Sequence, residues 1–372
     1  MSKPETSELK LARIKVVVGC INLANQLLVV KEVFNQLGCD VVTVGYNHLP
    51  QYYDKVDFDF DLESFTGIEE RVQLLQQLIA ESAIFYYIWP KVSVVHPQYD
   101  FQLIKQNNRF LIVQCVGDDI RPRKLYNKII ENYYKNKCHN LPENDSDEIN
   151  TLTLKTVESY ADIILSTHDQ SILASRPFWC TTFPVEVPGV WQERAKNPSR
   201  PLICSNTNGF SSKGTSYFLD FIEKAVSLNL SYDVRFHSTI SERDLIKSFG
   251  SSDFVIENLL IPYYGKTGVQ AMLSGCVPVV AGFCDLFPFP DARPVWEITI
   301  PSLFERLVEL INLPNNERRR LQSECEIYAR KFHSIEAFRE GLSSLIRGSS
   351  PGETFSFVQE SAFAKFAREN KL

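Results

Sequence analysis

From residue 14 onward, short unbroken apolar runs alternate with amphipathic stretches, and this alternation predicts parallel strands separated by helices. The run at 14–18 leads into a stretch whose Leu27, Val30, Phe34 and Leu37 fall near one helical face, and Gly38 then precedes the run at 41–44. Further strands are predicted at 84–88, 110–114 and 163–166, with helices at 68–82 and 151–160 between them. Together these predict one parallel-sheet domain of Rossmann type over 1–185. The stretch 186–200 carries Pro, Gly and charge without sustained periodicity and reads as a linker. The alternation then restarts. A strand is predicted at 202–205, a helix carrying Phe218, Phe221, Ile222, Ala225 and Val226 on one face, and a strand at 232–237. The fold class is α/β, with a second Rossmann-like domain over 201–346 and a tail at 347–372 whose last amphipathic segment is expected to pack back on the first domain.

Local signals refine the boundaries. Ser241 with Asp244, and Ser302 with Glu305, place a hydroxyl three residues ahead of a carboxylate, which predicts capped helix starts at both sites. Gly250 and Gly275 stand where helices are expected to stop.

At 372 residues and 44% apolar content the chain can bury two ordinary cores. Its first residues lack the basic flank and cleavage site of a secretory signal, and no run reaches the roughly 18 apolar residues of a membrane span. Nine cysteines occur without CxxC spacing, so neither a zinc site nor a disulfide framework is expected. A cytoplasmic protein is the expectation, with the inner face of the plasma membrane as a possible location. The net charge of −6 argues against nucleic acid as a partner.

Two loops carry candidate chemistry. In ENLLIPYYGKTGVQAMLSGCVPVV (257–280) a strand empties into a loop, and a helix follows near Lys266, Thr267 and Gly268. Such a helix start points unpaired N–H groups and a positive dipole end at any anion, with Gly265 and Gly268 permitting close approach. An ordinary turn of a Rossmann-like domain is the alternative. The stretch NTNGFSSKG (206–214) contributes Asn208, Gly209, Lys213 and Gly214 at the next helix entrance, where a lysine can neutralise a diphosphate. His237, closing the strand at 232–237, joins this candidate nucleotide-binding set, as does Tyr264. Tyr263 and Tyr264 offer ring faces for a base or sugar, or pack against their own sheet.

Lys213-Gly214 at a helix start, followed by a loop and helix ending in QAMLSGCVPVV, resembles the C-terminal domain of glycosyltransferase family 4. The turn Cys115-Val116-Gly117-Asp118-Asp119-Ile120-Arg121 is similar to a His-Gly-x-Asp-Ile-Arg-like turn of bacterial members, and His168-Asp169 falls where their N-terminal domain places an acceptor-facing loop. The resemblance covers roughly 110–345. It implies the GT-B fold, two Rossmann-like doubly wound domains facing a cleft. It also implies sugar transfer with retention from a nucleotide-diphosphate-sugar donor to a glycan or lipid-linked acceptor, without a metal or other cofactor. Under it, Asp118, Asp119, Arg121 and His168 are the acceptor-side catalytic candidates; the alternative for Asp118, Asp119 and Arg121 is an internal ion pair that fixes the turn.

The chain departs from that pattern. Gln270 matches the glutamate that in the family holds the ribose hydroxyls, and Pro262 matches the one that contacts the donor sugar. Asn208 or a neighbour stands in place of a phosphate-binding arginine, and Val116 in place of a histidine. Lys266 is a candidate for restoring the lost positive charge, whereas Glu257 lies five residues too early to replace the missing acid without a different loop path. A neutral amide bonds a hydroxyl about half as strongly as a carboxylate does. Two readings follow: an active transferase, or a degenerate relative that binds a nucleotide-sugar or a protein without turnover.

Overall fold

The computed structural model describes residues 14–46, 57–59, 67–134, 146–181, 183–185, 201–206, 213–237, 240–261, 263–282, 294–351 and 355–358. The first run of elements is β1 (Lys15–Ile21), α1 (Gln26–Gln36), β2 (Asp40–Tyr46), β3 (Phe58–Asp59), α2 (Ile68–Glu81), β4 (Ile84–Ile88), α3 (Pro97–Gln106) and β5 (Phe110–Gln114). Next come α4 (Arg123–Tyr134), α5 (Asp147–Tyr160), β6 (Ile163–Ser166), a 3-10 turn (His168–Leu173) and β7 (Phe178–Cys180). The alternation restarts with β8 (Leu202–Asn206), α6 (Thr215–Ser227), β9 (Asp233–His237), α7 (Glu242–Ser251), β10 (Phe254–Asn258), α8 (Lys266–Leu273), β11 (Val277–Ala281) and β12 (Trp296–Ile298). Helices α9 (Leu303–Ile311), α10 (Asn315–His333) and α11 (Ile335–Ile346) follow, and β13 (Ser356–Val358) is the last described element.

Two sheets result. The larger has strand order β13-β7-β6-β5-β4-β1-β2-β3, and the smaller β12-β11-β10-β8-β9. All four neighbour pairs of the smaller sheet are parallel, whereas β13 joins β7 antiparallel. Strands β4, β10 and β11 are buried along their whole length; β4 accordingly reads as an unbroken apolar run, whereas β10 ends in Glu257 and Asn258. The smaller sheet packs Phe254, Ile256, Val277 and Val279 against Val269, Met272, Leu307 and Phe332 of its helices.

By contact density the chain divides into two units. One comprises Met1–Cys115, Thr156–Ile164 and Glu336–Gly352, and the other Val116–Lys155, Leu165–Ile335 and Glu353–Leu372. Within the first, Arg339 of α11 donates a 2.8 Å hydrogen bond to Gln36 at the end of α1. Within the second, Ser241 caps α7 as expected, accepting the Asp244 N–H at 3.1 Å. Helix α9 corrects the sequence reading, because Ser302 makes no side-chain cap bond to it. The hydroxyl of Ser302 instead closes a reciprocal capping box with Thr299 around the 3-10 turn Ile300–Ser302, since Pro301 starts a helical turn earlier than Glu305 suggests. Gly250 lies inside α7 rather than beyond its end. The linker at 186–200 and the tail segment with Phe363 and Phe366 lie outside the described residues. None of the described helices is long and apolar enough to cross a membrane.

Candidate functional site

The parallel strands of an open α/β sheet leave loops and helix starts at their C-terminal ends, and the candidate residues lie there. Strand β10 pairs regularly with β11 until Ile256, which faces Val279; the next pair is Asn258 with Val280, so Glu257 is the extra residue of a bulge. A bulge re-aims its side chain. The Glu257 carboxylate is 2% exposed and accepts a hydrogen bond from Lys213 Nζ at 3.1 Å. It also lies against the start of α8: a Cβ added at Gly265 would stand 3.7 Å from Glu257 Oε1, and one at Gly268 3.6 Å from its Cγ. Lys213, Glu257 and the α8 N-terminus therefore form one cluster. Gly265 is the N-cap of α8 and supplies no side-chain cap, so the first-turn amides at Thr267 and Gly268 keep the anion-binding geometry of a helix start.

Two glycines hold this geometry. Gly214 has φ +77°, and a Cβ there would meet Leu259 Cβ at 3.0 Å and Leu260 Cγ at 3.1 Å. A Cβ at Gly268 would meet Tyr264 Cβ at 2.7 Å, so the helix can follow the loop this closely only with glycine at that position. Gly268→Ala is expected to destabilise the protein by about 1–3 kcal/mol through overpacking. Denaturant titration against wild type checks this; an unchanged midpoint would show that the loop relaxes freely.

The structure commits the other candidates of this region to internal partners. Lys266 Nζ and Gln270 Nε2 both donate to Glu242 Oε1, at the start of α7. Burial pushes the Lys266 ammonium below its ordinary pKa, with Glu242 opposing the shift. The positive charge proposed for phosphate is thus shared with a carboxylate that the sequence did not single out. Tyr264 is fully buried in the core, its hydroxyl 3.0 Å from His333 Nε2 and 3.4 Å from the Tyr328 hydroxyl. Tyr263 stacks on Tyr264 with centroids 5.6 Å apart and on His168 at 6.3 Å, so these rings cover one another. His237 Nε2 lies 2.5 Å from Ser248 Oγ of α7, and burial, then the Arg235 charge, pushes its imidazole below the ordinary value. Asn208, Gly209 and Pro262 lie outside the described residues.

The candidates from the 115–121 turn belong to a buried network with the 3-10 turn. Arg121 pairs with Asp118 at 2.5 Å and with Asp169, which is fully buried, while Arg123 also pairs with Asp118. The Arg121 guanidinium lies 5.3 Å from the Tyr126 ring centroid. Burial works against the Arg121 charge, but Asp169 and Asp118 outweigh it and raise its pKa. Burial likewise raises Asp118, but Arg121 and Arg123 bring it below the ordinary carboxylate value. Asp119 differs: it accepts the Val116 N–H at 2.7 Å, the Ile120 N–H at 3.0 Å and Gln170 Nε2 at 2.8 Å, and burial holds its carboxyl above the ordinary value. Its bonds fix the turn. His168 is 3% exposed beneath Tyr263, with Asp169 beside it in the chain. Among the described residues no group of three or more His, Cys, Asp or Glu is placed to hold a metal.

No family model matches the sequence, and no curated protein matches it in sequence. Solved structures do match the fold. A sucrose-phosphate synthase from Thermosynechococcus elongatus is 11% identical, with a TM-score of 0.58 over 91% of this chain and 98% of its own. An alpha-glucosyltransferase solved with UDP-glucose and DNA containing an abasic site is 13% identical, with a TM-score of 0.59 over 91% and 99%. The Anabaena protein HepE, solved with UDP, is 10% identical, with a TM-score of 0.53 over 91% of this chain and all of its own.

Proposed function

Because the chain has the GT-B fold, with its two parallel-strand sheets, we propose that it binds a nucleoside-diphosphate sugar and transfers the sugar to a hydroxylated acceptor. The observation that carries this is the convergence of Lys213, the α8 N-terminus and Glu257 at the end of β10. A lysine ammonium and first-turn amides stabilise a diphosphate in the ground state and, more strongly, as a leaving group gathering charge. Two of the similar structures hold UDP-glucose or UDP. The finer reading is transfer with retention to a glycan or lipid-linked acceptor, with the turn around Asp118 and His168 on the acceptor side.

A second reading has its own support. The two candidate lysines are paired internally, Lys213 with Glu257 and Lys266 with Glu242, as in a protein that binds a nucleotide-sugar without turning it over.

Calorimetric titration with UDP, ADP and GDP and their glucose conjugates tests binding, and release of free nucleoside diphosphate tests turnover. One pair is expected to bind, and Lys213→Ala to weaken it at least tenfold, or about 1.4 kcal/mol. Silence of all six at millimolar concentration would overturn the proposal. Binding without release under a broad acceptor screen would select the second reading.

A further inference from the structure

The inference rests on the nucleotide-sugar reading and names what the site recognises beyond phosphate. Lys213 engages Glu257 through Oε1; among the described residues the other oxygen, Oε2, is buried without a hydrogen-bond partner. A buried carboxylate oxygen with no donor is costly, and native proteins keep such groups chiefly where a ligand or water completes them. Bare backbone borders this carboxylate at Gly265, where an added Cβ would stand 3.7 Å from Oε1, whereas the Gly268 side is filled by Tyr264. A ligand whose phosphate sits on the first turn of α8 therefore has its adjoining atoms beside Glu257.

A second group, in the loop between β10 and α8, is also unsatisfied among the described residues. The Tyr263 hydroxyl is buried and, among the described residues, has no hydrogen-bond partner, although its ring packs against Tyr264 and His168. Burial, then the charges of Asp169 and Glu257, hold the phenol well above its ordinary pKa, so it stays a protonated donor. A buried acceptor at the end of β10 and a buried donor, Tyr263, in the loop that leads from it to α8, whose backbone carbonyl accepts Asn258 Nδ2 at 3.1 Å, fit a ligand bearing several hydroxyls, each of which both gives and takes a hydrogen bond.

We propose that Glu257 and Tyr263 read the hydroxyls of the sugar unit attached to the diphosphate, which makes Glu257 a specificity-determining residue separating a nucleotide-sugar from the bare nucleotide. The carboxylate accepts a sugar hydroxyl through Oε2 while orienting Lys213 through Oε1. Its charge opposes a bare nucleoside diphosphate, whose terminal phosphate carries an extra ionisable oxygen, more than it opposes the sugar ester. Selection thus has an attractive and a repulsive part.

The test is calorimetry with UDP and UDP-glucose, or the ADP or GDP pair if one of those binds, on wild type, Glu257→Gln and Tyr263→Phe. Glu257→Gln is expected to tighten the nucleoside diphosphate about threefold and weaken the nucleotide-sugar about tenfold, shifting their ratio in one direction by more than tenfold. Tyr263→Phe keeps the ring stack and is expected to weaken only the sugar-bearing ligand, by threefold or more, so it decides the matter if Glu257→Gln fails to fold. A ratio unchanged within twofold in both variants, with wild type binding both ligands, overturns the inference and leaves the nucleotide-sugar reading standing. Wild type binding neither ligand overturns both.

Discussion

Arg121→Met is expected to destabilise the protein by about 3–5 kcal/mol, the range found when one partner of a buried ion pair is removed. The guanidinium is 3% exposed and pairs with Asp169, which is fully buried, so the variant leaves that carboxylate without its counter-charge in a medium where water cannot reach it. Asp118 is less affected, since it is partly exposed and retains Arg123. The expected measurement is a large fall in the urea midpoint at unchanged slope. The double variant Arg121→Met, Asp169→Leu is expected to recover much of the loss, because replacing both partners removes the buried charge altogether. A single-variant loss below about 1 kcal/mol would place the pair among weak surface bridges and remove the reason to see this turn as rigid.

The second large effect concerns pH. Burial pushes His333 down to about 3, with a hydrogen bond to the Phe332 backbone working slightly the other way. Its ordinary value in an unfolded chain is about 6.5. The folded pKa is depressed, so the unfolded state takes up the proton first, and stability contributed by the neutral ring is complete above about pH 6.5 and is lost as pH falls toward 3. The full loss is of the order of 3–5 kcal/mol, most of it still to come below pH 5. A neutral ring can accept the Tyr264 hydroxyl, 3.0 Å from Nε2, whereas a charged one cannot. Thermal melts of wild type between pH 7.5 and 4.5 are expected to fall more steeply than those of His333→Gln, which starts lower and stays flatter. Parallel pH profiles for the two proteins would show that the histidine is not the group titrating.

What the sequence disclosed follows from what is local. Strands β4, β5 and β6 were readable to the residue because parallel strands buried on both faces leave apolar runs bounded by polar breaks. The start of α8 was readable from Gly265, Lys266 and Gly268, and its end from Gly275. The local pair of Arg121 with Asp118, three residues apart, was readable; the other partners were not, because each comes from far along the chain. Asp169 meets Arg121 from 48 residues away, Glu242 meets Lys266 from 24, and Glu257 meets Lys213 from 44. Glu257 shows the limit most clearly. Counting residues puts it five positions too early, yet the bulge between Ile256 and Asn258 turns it onto the helix start, and no spacing rule encodes a bulge. An acid at the end of an otherwise apolar strand, FVIEN, was the available signal.

The backbone contact behind Lys213 bears on the thermodynamics of any ligand. The Leu259 N–H donates to the Lys213 carbonyl at 3.0 Å, and Gly214 lies against Leu259 and Leu260, so the lysine and the bulged acid are fastened to one another through main chain as well as side chain. Lys213 and Glu257 have thus already lost much of their conformational freedom before a ligand arrives. Association then freezes few additional rotamers at Lys213 and Glu257, so the entropic cost of ordering these two side chains on binding is expected to be small.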